Sequence, residues 1–259
     1  MLDWLHGLPL AWLVVVVFGV TYLVAAGISW VVLRLAVGEN ARTFKALSPG
    51  LLPPLGVVFG LLVGFLAVQV WNDHGQAQTA VDREASALRS VVLLGGTFPT
   101  AQQDRMRALV RRHIEETVND EWPAMAGQHA TLTAVPASLA EALRLALVLS
   151  PHSEGQKVAQ REMVVALEAA LDARRERIIV SESRVNWAKW MGVVLLAALT
   201  LLAIAVVHSE NRGTTAIANG IFASAVAVCL LMIASQDRPF AGPFSVSPEP
   251  LVQVMPGPR

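Results

Sequence analysis

Four stretches of this sequence contain no Asp, Glu, Lys or Arg, and each is long enough to cross a hydrocarbon layer as one helix: residues 8–33, 51–71, 190–207 and 214–235. A helix rises 1.5 Å per residue, so about 20 apolar residues cover the roughly 30 Å of a bilayer core. The third stretch is the shortest that meets this length. Trp12 and Trp30 stand about 27 Å apart along a helix, the spacing of two interfacial aromatics. The second stretch is entered through Pro53-Pro54 and closes on Trp71. Burying four such helices inside a water-soluble fold would be exceptional. The expectation is therefore an all-α membrane protein with spans at about residues 10–34, 51–71, 190–207 and 214–235. A cleaved signal peptide is the other reading of the first stretch. Yet MLDWLH carries no Lys or Arg and the apolar run exceeds a signal h-region, so an uncleaved anchor is expected.

The whole-chain balance agrees. Of 259 residues 54% are hydrophobic and 15% charged, with a mean hydropathy of +0.51. Average soluble domains carry about 25% charged residues. Twenty basic and twenty acidic side chains cancel, which leaves no surface for a polyanion and argues against nucleic acid as a partner. The single cysteine, Cys229, excludes an intrachain disulfide. It lies in an apolar run, where a thiol behaves as a small hydrophobe.

Most of the charged residues fall between the second and third spans, at 72–189, which reads as a water-exposed domain. Apolar positions recur at helical spacing in MRALVRRHIEETV and AQREMVVALEAALDARRERIIV, without strand-like alternation. Capping boxes are predicted at Thr100 with Gln103, Ser138 with Glu141 and Ser153 with Gln156. Breaks are predicted at Gly95-Gly96 with Pro99, at Pro123 through Pro136, and at Ser150-Pro151. Nothing interrupts the chain after Trp71, so the second span is expected to continue as one helix to about Leu94, and the last domain helix to run toward the third span. The segment 236–259 holds six prolines and is predicted to be an extended tail, lying along another surface or loose. The organisation expected is thus 1–71 with two spans, 72–189 as the helical domain, 190–235 with two spans, and the tail.

Orientation follows from Lys and Arg near the span ends. Arg83, Arg89, Arg174, Arg175, Arg177, Arg184, Lys189 and Arg238 stand on the domain side, against Arg34, Arg42, Lys45 and Arg212 on the other. The count favours a cytoplasmic domain with both termini inside, in a bacterial inner membrane.

Catalytic signatures are missing. There is no P-loop, HExxH, GxSxG or helix-opening GxGxxG. The histidines His6, His74, His113, His129, His152 and His208 lack ligand spacing and read as surface or cap residues. Glu115 with Glu116 and Asp120 with Glu121 are paired carboxylates, but beside Arg111 and Arg112 they read as a solvated helix face. Arg174, Arg175 and Arg177, interleaved with Asp172 and Glu176, could meet lipid headgroups; a solvated face is the simpler account. No catalytic, cofactor or metal site is predicted, and the chain does not read as an enzyme.

Two stripes run down the second span. Gly56, Gly60 and Gly64 form overlapping GxxxG steps, which let helices approach closely in lipid. About 100° around the helix lie Val57, Leu61 and Phe65, continuing to Gln69 and toward Asn72, Asp73 and Gln76. Such a ring can narrow a pore and gate it by dewetting above a polar vestibule. The plainer reading of the residues alone is that the stripe faces lipid or sibling helices, since every spanning helix has such a stripe. The few polar residues in the later spans are Thr200, Thr214, Thr215, Asn219 and Ser224. Asn219 is expected to find a partner across helices rather than a substrate. No Asp, Glu, Lys or Arg lies deep in a span, which argues against an ion-coupled carrier and not against a channel.

The segment GFLAVQVWNDHGQAQTAVDREASALRSV, the sequences NDEWPAM and DARRERI, and the tail DRPFAGPFSVSPEP resemble the bestrophin-like family of bacterial membrane proteins, a domain of unknown function. The resemblance covers nearly the whole chain. More distantly the chain is similar to bestrophin ion channels, which implies four spans, a helical domain between the second and third, and a homo-oligomer, by analogy a pentamer, around a pore that conducts small ions. Bestrophins line a hydrophobic neck with residues four apart on the second span, ending in the Phe of a Gly-Phe pair. Gly64-Phe65 matches that pair, so the resemblance implies a neck of Val57, Leu61 and Phe65. Animal bestrophins carry an acidic calcium-binding run after the fourth span; this tail has only Asp237 and Glu249, so calcium gating is not implied. The resemblance also suggests a tail that wraps a neighbouring subunit, while Asp237-Arg238-Pro239 reads on its own as a helix stop. A bestrophin-like channel is one expectation. A non-conducting scaffold or sensor, whose domain binds a protein partner, is the other.

Overall fold

A computed structural model describes residues 9–36, 44, 49–133 and 135–257. The predicted Arg42, Lys45 and His6 assignments, and the first residues of the amino-terminal segment, lie outside these. The described residues are helical with no strand: α1 Leu10–Leu35, a 3-10 turn Pro49–Leu51, α2 Leu52–Gly95, α3 Thr100–Glu116, a π-helical turn Thr117–Glu121, α4 Trp122–Ala126, α5 Ala137–Val148, α6 Glu154–Ser181, α7 Trp187–Val207, α8 Arg212–Gln236 and α9 Glu249–Gln253. The predicted all-α fold with four helices long and apolar enough to cross a membrane is present. As the unbroken run after Trp71 predicts, α2 is one helix to Gly95. By contrast α6 stops at Ser181, and α7 starts afresh at Asn186, whose side chain accepts from the Ala188 amide. The chain divides into two compact units, one within Met1–Trp71 and Arg184–Asp237, the other within Asn72–Ser183 and Arg238–Arg259.

In the first, membrane unit, α1 packs against α8 and α7, and α8 against α7. The span of α2 joins them through Phe59, Leu66 and Val70, which bury against Val193, Ala197, Val226 and Ile233. Phe59 and Phe222 lie 5.5 Å apart. Polar side chains in the spans are tied locally. Asn219 Nδ2 donates to Ser29 Oγ at 2.7 Å, the predicted cross-helix partner, and Tyr22 meets Ser224 at 2.8 Å. The Val185 amide donates to Asp237 Oδ1 at 2.7 Å, which fastens the entry of α7 to the end of α8.

The second, domain unit has a conventional apolar core. Ala77, Val81, Leu88 and Val91 of α2 meet Met106, Val110 and Ile114 of α3, Leu139 and Ala146 of α5, and Met163, Leu167 and Ala170 of α6. The tail is not merely extended. Phe240, Val246 and Leu251 are buried in this same core, each worth about 1.5–3 kcal/mol. A bend at Gly242, whose φ of 92° suits glycine, returns the Val246 amide to the Pro239 carbonyl at 2.7 Å. The prolines forbid a long helix but leave room for the short α9, and an Arg111 guanidinium donates to the Pro256 carbonyl.

Of three predicted capping boxes one forms in part, its return bond reaching the residue before the cap. Ser153 accepts from the Gln156 amide at 3.2 Å, while Gln156 Oε1 takes the His152 amide at 2.7 Å. The other two fail because a proline precedes each. Pro99 (φ −54°) and Pro136 (φ −55°) themselves occupy the cap position, which moves Thr100 and Ser138 into the first turn. Ser138 donates instead to Glu116 Oε2 at 2.8 Å. Ser153→Ala is expected to cost about 1 kcal/mol, read as faster hydrogen exchange at the start of α6.

Candidate functional site

In the membrane unit α2 presents two sides. Phe59, Leu66 and Val70 face the chain's own helices. Val57, Leu61 and Phe65 stand on the outer side, 61%, 57% and 72% exposed, one step of about 40° separating each from the next. Three large apolar side chains in a row are thus left more than half uncovered by the described residues, and in a membrane unit such a stripe faces lipid, another copy or a pore. Gly56, Gly60 and Gly64 adjoin this stripe. A Cβ at any of the three would meet no atom within 4 Å, so none of the described helices closes on them. Gln69 is half-buried, and its Oε1 accepts from Lys189 Nζ. It therefore shares a helix with the apolar stripe but is held by α7.

The domain unit holds a buried cluster that no sequence motif marks. Glu84 on α2 is wholly buried; its Oε2 accepts from Arg177 Nε at 2.8 Å, and its Oε1 from Arg177 Nη2 at 3.3 Å. Arg177 Nη2 also donates to Glu121 Oε2 at 2.9 Å, and Arg174 Nε donates to Glu121 Oε1 at 2.7 Å. His113 Nε2 lies 2.9 Å from Glu84 Oε1. An ionised carboxylate only accepts, so this ring nitrogen carries the hydrogen. The guanidinium of Arg177 is 5.4 Å from the Trp122 ring, which meets Phe240 edge-on at 5.3 Å. The π-helical turn adds one residue per turn over α-helical winding, and from it Glu121 and Trp122 both reach Arg177.

Two carboxylates and two guanidiniums balance in charge, which is the condition for burying them. Burial pushes the Glu84 carboxyl up, but the Arg177 charge and the His113 hydrogen bond outweigh it and hold the group below its ordinary value. Burial likewise opposes the charge on Arg177, and Glu84 with Glu121 outweighs it and raises that group. Every carboxylate oxygen of the pair is taken by a donor, so the cluster fastens α2, α3 and α6 together.

These placements correct three expectations. Arg174 and Arg177 are not a solvated face: they are buried, because Glu84 and Glu121 stand opposite them. They drop out of the surface count used for orientation, which narrows its margin. His113 is a core residue, not a surface one. Glu121 leaves the solvated face, whereas Glu116 and Glu115 stay there, paired with Arg112 at 2.8 Å and Arg111 at 3.8 Å. Among the described residues no three His, Cys, Asp or Glu are grouped to hold a metal ion.

A family model described as a bestrophin-like domain matches residues 19–251. No curated protein matches the chain. Among solved structures the fold is similar to the crystal structure of a mutated bacterial bestrophin homologue from Klebsiella pneumoniae. The TM-score is 0.73 at 11% identity, covering 92% of this chain and 97% of that one, a likeness of fold alone.

Proposed function

This chain belongs to the bestrophin-like family, and on that premise we propose that it is a homo-oligomeric ion channel whose neck is the Val57, Leu61 and Phe65 stripe of α2. The observation that carries this reading is the row of three exposed apolar side chains on the outer side of a spanning helix whose other side is packed on its own unit. In a ring of copies the stripe converges on the axis and narrows the pore, which then opens and closes to water by wetting. Gly56, Gly60 and Gly64, left open by the described helices, take the backbone of the neighbouring copy's second span. Gln69, with Lys189, forms the polar mouth below the neck. A ring of Val, Leu and Phe excludes hydrated ions when dry and has no charge with which to choose between cation and anion. The remaining excess of Lys and Arg on the domain side supports a domain unit and termini on the cytoplasmic side of a bacterial inner membrane.

The test is ion flux through the purified chain in liposomes, together with its mass in detergent. Flux above that of empty vesicles from a protein of oligomeric mass is expected. A monomeric mass without flux would sink the channel and leave the scaffold, whose domain unit binds a protein partner, as the better account.

A further inference from the structure

We infer that copies of this chain join head to tail through the domain unit, an apolar ridge on α5 of one copy seating in a groove between α2 and α6 of the next. The inference rests on the homo-oligomeric reading above and adds the surfaces that close the ring.

The groove has a volume of about 770 Å³, and its lining includes the small side chains Ala87, Ser90, Ala166 and Ala169. Leu93 and Val165 line it as well and are 67% and 51% exposed, although both are large and apolar. A shallow channel of Ala and Ser flanked by such residues is what the ridge of another helix packs into. Its acidic lining is unbalanced. Glu176 pairs with Arg83 at 3.3 Å, whereas Glu162 and Asp172 form no ion pair among the described residues.

The complement stands on α5. Leu147 and Val148 are 61% and 73% exposed, and Arg144, one turn earlier on the same side, is exposed and forms no ion pair among the described residues. The ridge therefore offers apolar bulk and one positive charge to a groove that offers small residues and negative charge. The two surfaces face different ways. Gln160 of α6 donates to the Ala146 and Leu149 carbonyls at the end of α5, and it lies about 140° around α6 from Val165 in the groove. Ridge and groove on opposite flanks cannot pair in a two-fold dimer, where one patch meets itself; they make a heterologous contact that runs from copy to copy. Spanning helices confine all copies to one bilayer plane, which excludes a helical filament and leaves a ring wherever the rotation from copy to copy divides a full turn.

The test uses the full chain in detergent with Cys229→Ala removing the native thiol. Leu147→Cys and Ala169→Cys in one chain, treated with a short bismaleimide, are expected to give a ladder of covalent species up to the mass of the native assembly. Mixing the two single variants should give covalent dimers only, and either alone none. Arg144→Glu in the double-cysteine chain should abolish the ladder, and adding Glu162→Arg should restore it. A ladder indifferent to Arg144→Glu would overturn the charge pairing. An oligomeric parent whose double-cysteine chain gives no covalent species would overturn this interface while the homo-oligomer stands. A monomeric parent would overturn the homo-oligomer itself, and this inference with it.

Discussion

Arg177→Ala is expected to open the core of the domain unit, at a cost of about 3–5 kcal/mol, the usual effect of removing one partner of a buried ion pair. The reason is what remains. Glu84, with no exposure, would keep only the His113 hydrogen bond, and Glu121 only Arg174. Out of a typical domain stability of about 5–15 kcal/mol such a loss leaves little. Hydrogen exchange of the segments 77–94 and 163–180 reads it directly, since both lie in the core the cluster fastens. Lysine should not rescue, because a single ammonium cannot span Glu84 and Glu121 as the guanidinium fork does. Arg177→Met with Glu84→Leu should recover much of the loss, because the carboxylate that needed a partner goes with the arginine. If Arg177→Ala alone leaves the exchange of both segments unchanged, the cluster does not hold the domain unit.

The same pair sets an acid limit. The Glu84 carboxyl is held below its ordinary value of 4.5, so as pH falls the unfolded chain takes up the proton first. The stabilisation is complete above that ordinary value and is lost as pH falls through the lower, folded one. In Arg177→Ala the burial cost dominates and the carboxyl shifts upward. Mild acid should then stabilise the variant where it destabilises the parent.

The second large effect concerns the proposed neck. Leu61→Ala and Phe65→Ala are each expected to raise ion flux on the order of tenfold, equivalent to about 1.4 kcal/mol off the barrier. Shrinking a hydrophobic ring widens it and weakens its tendency to shed water, so the wetted, conducting state gains population. Both residues are more than half exposed in the single chain and neither belongs to its buried core, so folding should survive the change. Leu66→Ala is the control: it faces the chain's own bundle, where it is buried beside Phe59 and Val70, and should lower stability without raising flux. Unchanged flux in both neck variants at normal oligomeric mass would place the stripe against lipid.

Much of the fold is legible in the charge-free runs, because lipid leaves a helix few ways to satisfy its backbone and permits almost no charge along its length. The domain unit is harder, since composition alone makes its charges a solvated face and only their register separates buried from exposed ones. Glu84 falls on the spacing Ala77, Val81, Leu88 and Val91, and Arg174 and Arg177 continue the spacing of Met163, Leu167 and Ala170. A carboxylate on one apolar face and guanidiniums on another are the sign of a buried pair, and that sign was present. Their meeting is tertiary, as is the arrival of Glu121 from the end of the π-helical turn and of Trp122 just after it. The tail misled for a related reason: its prolines are a local signal, whereas the burial of Phe240, Val246 and Leu251 is a tertiary one.

Whether the α2 stripe lines a conducting pore is tested most directly by Leu61→Cys in a Cys229→Ala background, reconstituted and treated with a charged, water-soluble methanethiosulfonate reagent. If the neck account holds, the reagent reaches the thiol through water and blocks flux, a reducing agent restores it, and Leu66→Cys is unaffected. Flux that continues unchanged while the thiol stays unmodified would place Leu61 in lipid and contradict the account.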